Sequence, residues 1–106
     1  MVEKEYELLS DEVLEKAADC LKVMGHTARL RIVNLLMQGE YSVNQIAQLC
    51  RLHPNQACEH LRLMKNCGYL TSRRAGRTVY YQIASPQLPG LIECIRLHCR
   101  PEQPVQ

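Results

Sequence analysis

The chain has 106 residues, 46% of them hydrophobic, with neither Trp nor Phe, which allows one domain with an aliphatic core. No apolar run is long enough to span a membrane or to form a secretion signal, so the sequence predicts a cytoplasmic protein without membrane contact. A domain of this size buries only about two-thirds of its unfolded surface, and a second copy is therefore expected to enlarge the core.

The net charge of +2 conceals an uneven distribution. Residues 1–19 hold seven acidic side chains and two lysines, a net charge of −5, and residues 1–9 are predicted to form an acidic arm. Residues 51–77 hold six basic side chains against Glu59, a net charge of +5. This basic segment favours a polyanionic partner, although a solvated charged face is also consistent with it.

The first two predicted elements are helices. Ser10 is an expected N-cap, and apolar residues recur at helical spacing from there to Met24. A second helix, almost wholly buried, is predicted to end near Gly39, a residue suited to the position after a helix. His26, at the start of this helix, is expected to cap it or to pack against it.

Two further helices follow with a short connection between them. Ser42 is expected to cap a short third helix whose core face ends at Cys50. Pro54 suits the first turn of a fourth helix over residues 54–66, which Gly68 stops. The predicted inward positions of this fourth helix are Ala57, Leu61 and Met64, with Cys67 as a further candidate.

The remaining segment changes period and then returns to helical spacing. Residues 69–83 predict two short strands around residues 75 and 76, which is typical of a hairpin. Pro86 is expected to open a fifth helix. Residues 10–99 thus form the predicted domain, and residues 100–106 form a predicted disordered tail.

Two helices joined by a short turn and followed by an arginine-rich hairpin predict a mainly α winged helix-turn-helix with a small β-hairpin wing. The fourth helix is the expected recognition helix, with Asn55, Gln56 and Glu59 placed to read base edges in the major groove. Phosphate or minor-groove contacts are expected from the basic side chains. These further candidates are His60, Arg62, Lys65, Arg73, Arg74 and Arg77. For His60, packing inside the domain is the alternative to a phosphate contact.

Four segments resemble the ArsR/SmtB family in residues and in order. They read LKVMGHTARLRIV (residues 21–33), GEYSVNQIA (39–47), EHLRLM (59–64) with CGYL (67–70), and GRTVYYQI (76–83). The resemblance implies a homodimeric repressor whose first and fifth helices pair across a two-fold axis. It also implies two recognition helices about 34 Å apart on operator DNA, and release when a metal ion, a metalloid or a thiol oxidant reaches a sensing site.

The sensing sites that the resemblance implies are incomplete in this sequence. The thiolate site of the third helix falls on residues 40–45, which contain no Cys. The zinc site of the last helix retains only His98, and one imidazole cannot hold zinc. The cysteine pair of the recognition helix retains only Cys67, and the pair of persulfide-sensing members retains only Cys99.

The remaining thiols offer another sensing site. Cys20, Cys94 and Cys99 lie in the helices that the resemblance places at the dimer interface, where they are expected to approach one another. Three thiolates suit a thiophilic metal or metalloid ion, whereas two suit oxidation without any cofactor. The alternative is that these cysteines only pack the interface.

No arrangement typical of an enzyme is supported by spacing, and the chain is predicted not to be one. Among enzymes, the alternative hypothesis is a thiol enzyme with Cys58 as the candidate nucleophile. A second rival is a protein-interaction module that docks a partner through the basic face. The sequence favours a transcriptional repressor that a thiol-directed signal releases from operator DNA.

Overall fold

The computed structural model describes residues 7–99 and 101. The predicted tail, apart from Pro101, and the first six residues of the predicted acidic arm lie outside this part of the chain. Within it, no helix has the length and apolar character needed to cross a membrane. The elements are α1 (Asp11–Met24), α2 (Thr27–Leu36), β1 (Tyr41–Ser42), α3 (Val43–Leu49), α4 (Pro54–Asn66), β2 (Leu70–Ala75), β3 (Thr78–Ile83) and α5 (Leu88–His98).

The first two helices begin at side-chain caps, as predicted. The Ser10 hydroxyl accepts a hydrogen bond from the backbone N–H of Val13 at 3.2 Å, and Nδ1 of His26 accepts one from the backbone N–H of Ala28 at 3.2 Å. Each cap satisfies a helical donor that has no partner inside its own helix. The expected role of His26 as a capping group is therefore confirmed.

Both helices of the helix-turn-helix begin with reciprocal caps. Ser42 accepts from the backbone N–H of Gln45 at 3.1 Å and donates its own backbone N–H to the Gln45 side chain at 2.8 Å. His53 has the same role for α4, because its Nδ1 accepts from the N–H of Asn55 at 3.2 Å and its N–H donates to Gln56 Oε1 at 3.0 Å. Ser42 was the predicted cap of α3, whereas sequence analysis assigned no role to His53.

The wing is a three-stranded sheet in the order β1-β3-β2. The hairpin of β2 and β3 was predicted, and Gly76 occupies its turn with φ +65°, which a residue without Cβ adopts freely. The strand β1 was not predicted. It pairs Tyr41 with Tyr81 and Ser42 with Tyr80, so the wing is joined to the residue that caps α3.

The last helix begins at Leu88, so the expectation that Pro86 opens it is wrong. The residues after Ser85 form a turn instead, in which the backbone N–H of Leu88 donates to the Ser85 carbonyl at 3.2 Å. The proline in the first turn of α5 is Pro89. A backbone N–H at that position has no acceptor inside the helix, so its absence in proline costs no helical hydrogen bond.

The core lies between α2, α3, α4 and the sheet. Its fully buried side chains include Ile32, Ile46, Leu61 and Met64. Cys50 is also buried, at 1% exposure, as predicted, and burial raises the pKa of its thiol, with Arg31 opposing the shift. A second set of apolar side chains remains exposed in or beside the first and last helices: Leu8, Leu9, Val13, Leu14, Leu21 and Leu97.

Candidate nucleic-acid interface

Helix α4 presents a polar face to solvent and an apolar face to the core. Ala57, Leu61 and Met64 are buried, as predicted from their spacing. The predicted base-reading residues Asn55, Gln56 and Glu59 are all exposed on the other side of the helix. An exposed helical face with amide and carboxylate groups is suited to the donors and acceptors of base edges in the major groove.

Gln56 has a structural role that the sequence did not indicate. Its Oε1 accepts a hydrogen bond from the backbone N–H of His53, whereas its side-chain NH₂ group does not take part in the cap. The side chain is consequently held close to the first turn of α4. The NH₂ group of Gln56 takes no part in this cap and is therefore the group best placed to contact a base, as a donor toward an adenine N7 or a guanine O6.

A basic cleft separates α4 from the wing. Its cationic lining residues are Arg62, Lys65, Arg73 and Arg74, and the enclosed volume is about 420 Å³. Lys65 Nζ donates to Ser72 Oγ at 2.8 Å, which ties the recognition helix to β2. Four cations around one open cleft are suited to a phosphate backbone, which binds through charge and independently of sequence.

The three predicted wing arginines differ in their surroundings. Arg73 makes two hydrogen bonds of 2.8 Å to the Glu40 carboxylate and lies over the Tyr80 ring at 4.6 Å. The Glu40 carboxylate, by hydrogen bonding and by charge, raises the pKa of Arg73. Arg74 and Arg77 are exposed near the hairpin turn.

His60 points away from the exposed face of α4. Its ring is partly buried, with its centroid 4.9 Å from that of His26, and its Nδ1 accepts a hydrogen bond from Arg29 Nε at 3.0 Å. Arg29 also donates to the Val23 carbonyl at 3.0 Å. Burial lowers the pKa of His60, and the charges of Arg29 and His26 lower it further. The structure thus favours packing over DNA contact for this residue.

The cysteines predicted to form a sensing site are found in different surroundings. Cys94 and Cys99 are exposed at α5, five positions apart in the chain. Cys20 is partly buried, and burial together with the neighbouring Cys20 raises the pKa of Cys67. Across residues 7–99 and 101, no group of three or more His, Cys, Asp or Glu side chains is placed to hold a metal ion.

Cys58 lies on α4 beside the wing, partly buried. It lines a small cavity of about 180 Å³ together with Arg77 and Val79.

Comparisons with known proteins bear on the whole arrangement. Residues 26–72 match the model of the family described as "Bacterial regulatory protein, arsR family". The transcriptional activator HlyU of Vibrio cholerae is 30% identical over 89 residues, 83% of this chain and 82% of that protein. The transcriptional repressor PagR of Bacillus anthracis is 36% identical over 83 residues, 77% of this chain and 83% of that protein.

Solved structures extend the similarity to the fold. The homodimeric winged helix-turn-helix DNA-binding domain of a possible ArsR-family regulator from Mycobacterium bovis is 27% identical, with a TM-score of 0.75 over 95% of this chain and 100% of that one. HlyU from Vibrio cholerae has a TM-score of 0.75 at 28% identity, over 86% of this chain and 100% of that one. The chain therefore belongs to the arsR family of bacterial regulatory proteins: it is a winged helix-turn-helix transcriptional regulator that binds DNA, and not an enzyme.

Proposed function

We propose that the protein is a homodimeric repressor that binds a near-palindromic operator through α4 and is released by a signal acting on its thiols. The observation that carries the DNA-binding role is the exposed polar face of α4 beside the basic cleft. A protein with this role acts in the cytoplasm, where the operator is accessible.

One face of α4 supplies the contacts that read the base sequence. The basic residues around that face supply affinity for the phosphate backbone. Asn55, Gln56 and Glu59 read base edges, since they are exposed on the side opposite the core. Phosphate contacts come from the basic cleft and the wing tip, through Arg62, Lys65, Arg73, Arg74 and Arg77. Phosphate contacts orient the protein on the duplex, whereas base contacts supply the sequence preference.

A dimer supplies the second recognition helix. Exposed leucines on α1 and α5 form an apolar surface that a monomer leaves in water, including Leu14, Leu21 and Leu97. The domain from Mycobacterium bovis is described as homodimeric. Pairing through α1 and α5 buries this surface and leaves both copies of α4 exposed, so that they can enter successive major grooves on one side of the duplex.

The proposed signal is thiol-directed: a thiophilic metal or metalloid ion, or a reactive sulfur species or oxidant. Cys94 and Cys99 are the accessible members of the predicted sensing set, because both are exposed at α5 next to the proposed dimer surface. Soft thiolates bind such ions and are also the form of cysteine that oxidants attack.

Fluorescence anisotropy tests the proposal. Labelled DNA from the region upstream of the gene is titrated with reduced protein, and the complex is then challenged with arsenite and, separately, with a polysulfide. Selective binding that one challenge reverses is expected, and Cys94→Ser or Cys99→Ser should retain binding and lose the response. A double serine variant that still responds would contradict the assignment of these thiols, and binding without sequence preference would favour a protein-interaction module.

Arg77→Ala is a further test of the phosphate contacts. It should weaken binding to every sequence and reduce the slope of log affinity against log salt by about 1. Lys16→Ala, which removes an exposed charge from α1, is the matched control and should change neither. A loss restricted to particular base sequences would contradict the role of Arg77.

A further inference from the structure

An open cleft of about 340 Å³ lies between α2 and α5. This volume is in the range of about 300–1,000 Å³ that is typical of small-molecule sites. Three aliphatic side chains line it, Leu30 from α2 and Ile92 and Ile95 from α5. Ile92 is buried in the core, and Leu30 and Ile95 are partly buried against it. The α2–α5 cleft therefore has an apolar wall that is continuous with the core.

Two arginines line the same cleft, one from each helix. They are Arg31 on α2 and Arg96 on α5, and both are exposed. Thr27 and Asn34, which lie on the same face of α2 as Arg31, add a hydroxyl and an amide. Among the described residues that line the cleft, none is acidic. The α2–α5 cleft thus combines an apolar wall with two positive charges.

Both guanidinium groups retain donors for a ligand. The two ion pairs found among residues 7–99 and 101 join Arg73 to Glu40 and Arg96 to Glu93, so Arg31 belongs to neither. Arg96 donates to the Glu93 carboxylate through Nε alone, at 3.1 and 3.2 Å. Its two terminal NH₂ groups take no part in that pair and are available to a second carboxylate.

We propose that the α2–α5 cleft binds a small organic anion, a monocarboxylate with an aliphatic body. Arg31 and Arg96 hold the carboxylate, because guanidinium groups form strong, charge-assisted hydrogen bonds with it. The aliphatic body covers Leu30, Ile92 and Ile95 and removes them from water. Binding uses no cysteine, so this site is separate from the thiols of the proposed function.

The two parts of the cleft select for the two parts of such a molecule. An anion without an apolar body leaves the aliphatic wall in water, and its contact with two exposed arginines is weakened by salt. An alcohol with the same body covers the wall but supplies no charge to the guanidinium groups. Acetate and octan-1-ol are therefore the matched comparisons for octanoate, which has both parts.

Helix α2 connects the cleft to the recognition helix. Arg29, two positions before Arg31, donates from Nε to Nδ1 of His60 on α4 at 3.0 Å. A carboxylate held by Arg31 and Arg96 draws α2 toward α5, which carries part of the proposed dimer surface. The position of α4 relative to the two-fold axis then changes, although two recognition helices must match one helical turn of about 34 Å. We expect the bound anion to weaken operator binding. This consequence rests on the function proposed above, whereas binding of the anion does not.

Calorimetry tests the site on the reduced, full-length protein. Octanoate should bind saturably, with one molecule per protomer, and acetate and octan-1-ol should each bind about tenfold more weakly or less, the equivalent of one lost charge-assisted contact. Arg31→Gln and Arg96→Gln should each weaken octanoate binding by a similar factor. Lys16→Gln, which removes an exposed charge from α1, is the matched control and should bind as wild type does.

Amide chemical shifts measured by NMR locate the bound octanoate. We expect the changes to concentrate in residues 27–34 and 92–96. Changes confined to α1, or equal binding of octanoate and octan-1-ol, would assign the affinity to exposed apolar surface and overturn the proposal. Unchanged affinity in both arginine variants would overturn it as well.

Anisotropy tests the consequence for DNA. Saturating octanoate should weaken operator binding of the wild type about fivefold or more, whereas Arg31→Gln should respond less. Unchanged operator affinity at saturating octanoate would overturn the coupling. If reduced protein shows no selective binding to DNA, the proposed function fails, and calorimetry still decides whether the cleft binds the anion.

Discussion

The hydrogen bond between Arg29 and His60 is sensitive to pH because its acceptor is an imidazole nitrogen. Nδ1 of His60 can accept from Arg29 only when it carries no proton. A proton there would also place a positive charge beside that of Arg29. Burial and these charges together lower the pKa of His60, so the folded protein binds this proton less readily than the unfolded chain does.

The sign of the effect on stability follows from proton uptake. As pH falls below about 6.5, the unfolded chain takes up a proton on this residue before the folded protein does, and the free energy of unfolding decreases. Urea unfolding at pH 7.5 and 5.5 should show a larger loss for wild type than for His60→Gln, which has no titrating ring. Identical losses in the two proteins would show that His60 does not carry the effect.

The ion pair between Arg73 and Glu40 leads to a prediction for DNA binding, because the Glu40 carboxylate offsets positive charge beside the basic cleft. Arg73 is exposed and Glu40 is only partly buried, and ion pairs at the surface contribute about 0–1 kcal/mol to stability, so Glu40→Gln should change the free energy of unfolding little. The substitution removes a negative charge beside the basic cleft, and it should strengthen binding to all DNA sequences and steepen the dependence on salt.

Glu12→Gln, on the exposed side of α1, is the matched control for net charge. Equal effects of the two variants would assign the gain to total charge and contradict a local role of Glu40. Weaker binding by Glu40→Gln alone would show that the carboxylate is needed to position Arg73.

At the scale of the element, Gln56 has two roles at the start of α4: it caps the helix, and it is proposed to contact a base. Gln56→Ala removes one half of the cap, and we expect a loss of about 0.5–2 kcal/mol in the free energy of unfolding. It should also cost about 1–3 kcal/mol of binding energy at particular base pairs.

Gln56→Glu separates these two roles. Its carboxylate oxygen still accepts the backbone N–H of His53, so stability should be close to that of wild type. The NH₂ donor is lost and a negative charge faces the DNA, so binding should be weaker than in wild type. Unfolding curves and anisotropy on matched and altered sites measure the two effects. Equal binding losses on every DNA sequence for Gln56→Ala would contradict its base-reading role.

Sequence patterns predicted the elements whose signals are local. Ser10 and Ser42 are residues that commonly cap helices, and Pro54 suits a first turn, so these three starts were predicted correctly. His53 was missed as a cap because Pro54 already accounted for the start of α4, and His is not among the side chains that most often cap helices. The start of α5 was misplaced because Pro86 and Pro89 both suit the beginning of a helix, and only the turn after Ser85 distinguishes them.

Contacts between distant residues could not be predicted in this way. The strand β1 has two residues, too few for any periodicity, and it exists because Tyr41 and Ser42 pair with β3. Arg73 was expected on the wing surface, but its pairing with Glu40 depends on how the wing packs against the start of α3. The hydrogen bond from the Tyr69 hydroxyl to the Cys20 carbonyl depends on how α1 packs against the end of α4, which neither helix determines alone.

At the scale of the whole molecule, the exposed apolar surface on α1 and α5 predicts a dimer. Leu14→Glu should give a monomer of 12.2 kDa where wild type has twice that mass, because the charge is buried in the proposed interface. Leu14 is exposed in the single chain, so the monomer should keep its fold. Analytical ultracentrifugation measures the mass, and circular dichroism checks the fold.

Leu49→Glu is the matched control, since Leu49 is also an exposed leucine but lies on α3. It should remain dimeric. A dimer in both variants would place the interface elsewhere, and two monomers would show that a new surface charge is sufficient to dissociate the protein.

The central claim is that α4 reads DNA as one of a symmetric pair. Selection from a pool of random duplexes by the reduced protein, followed by sequencing, tests this claim without an assumed operator. We expect enrichment of a near-palindrome whose half-site centres are about 10–10.5 base pairs apart, and Gln56→Ala should relax the preference within each half-site. Failure to enrich any sequence, or enrichment of a single half-site without symmetry, would contradict the account.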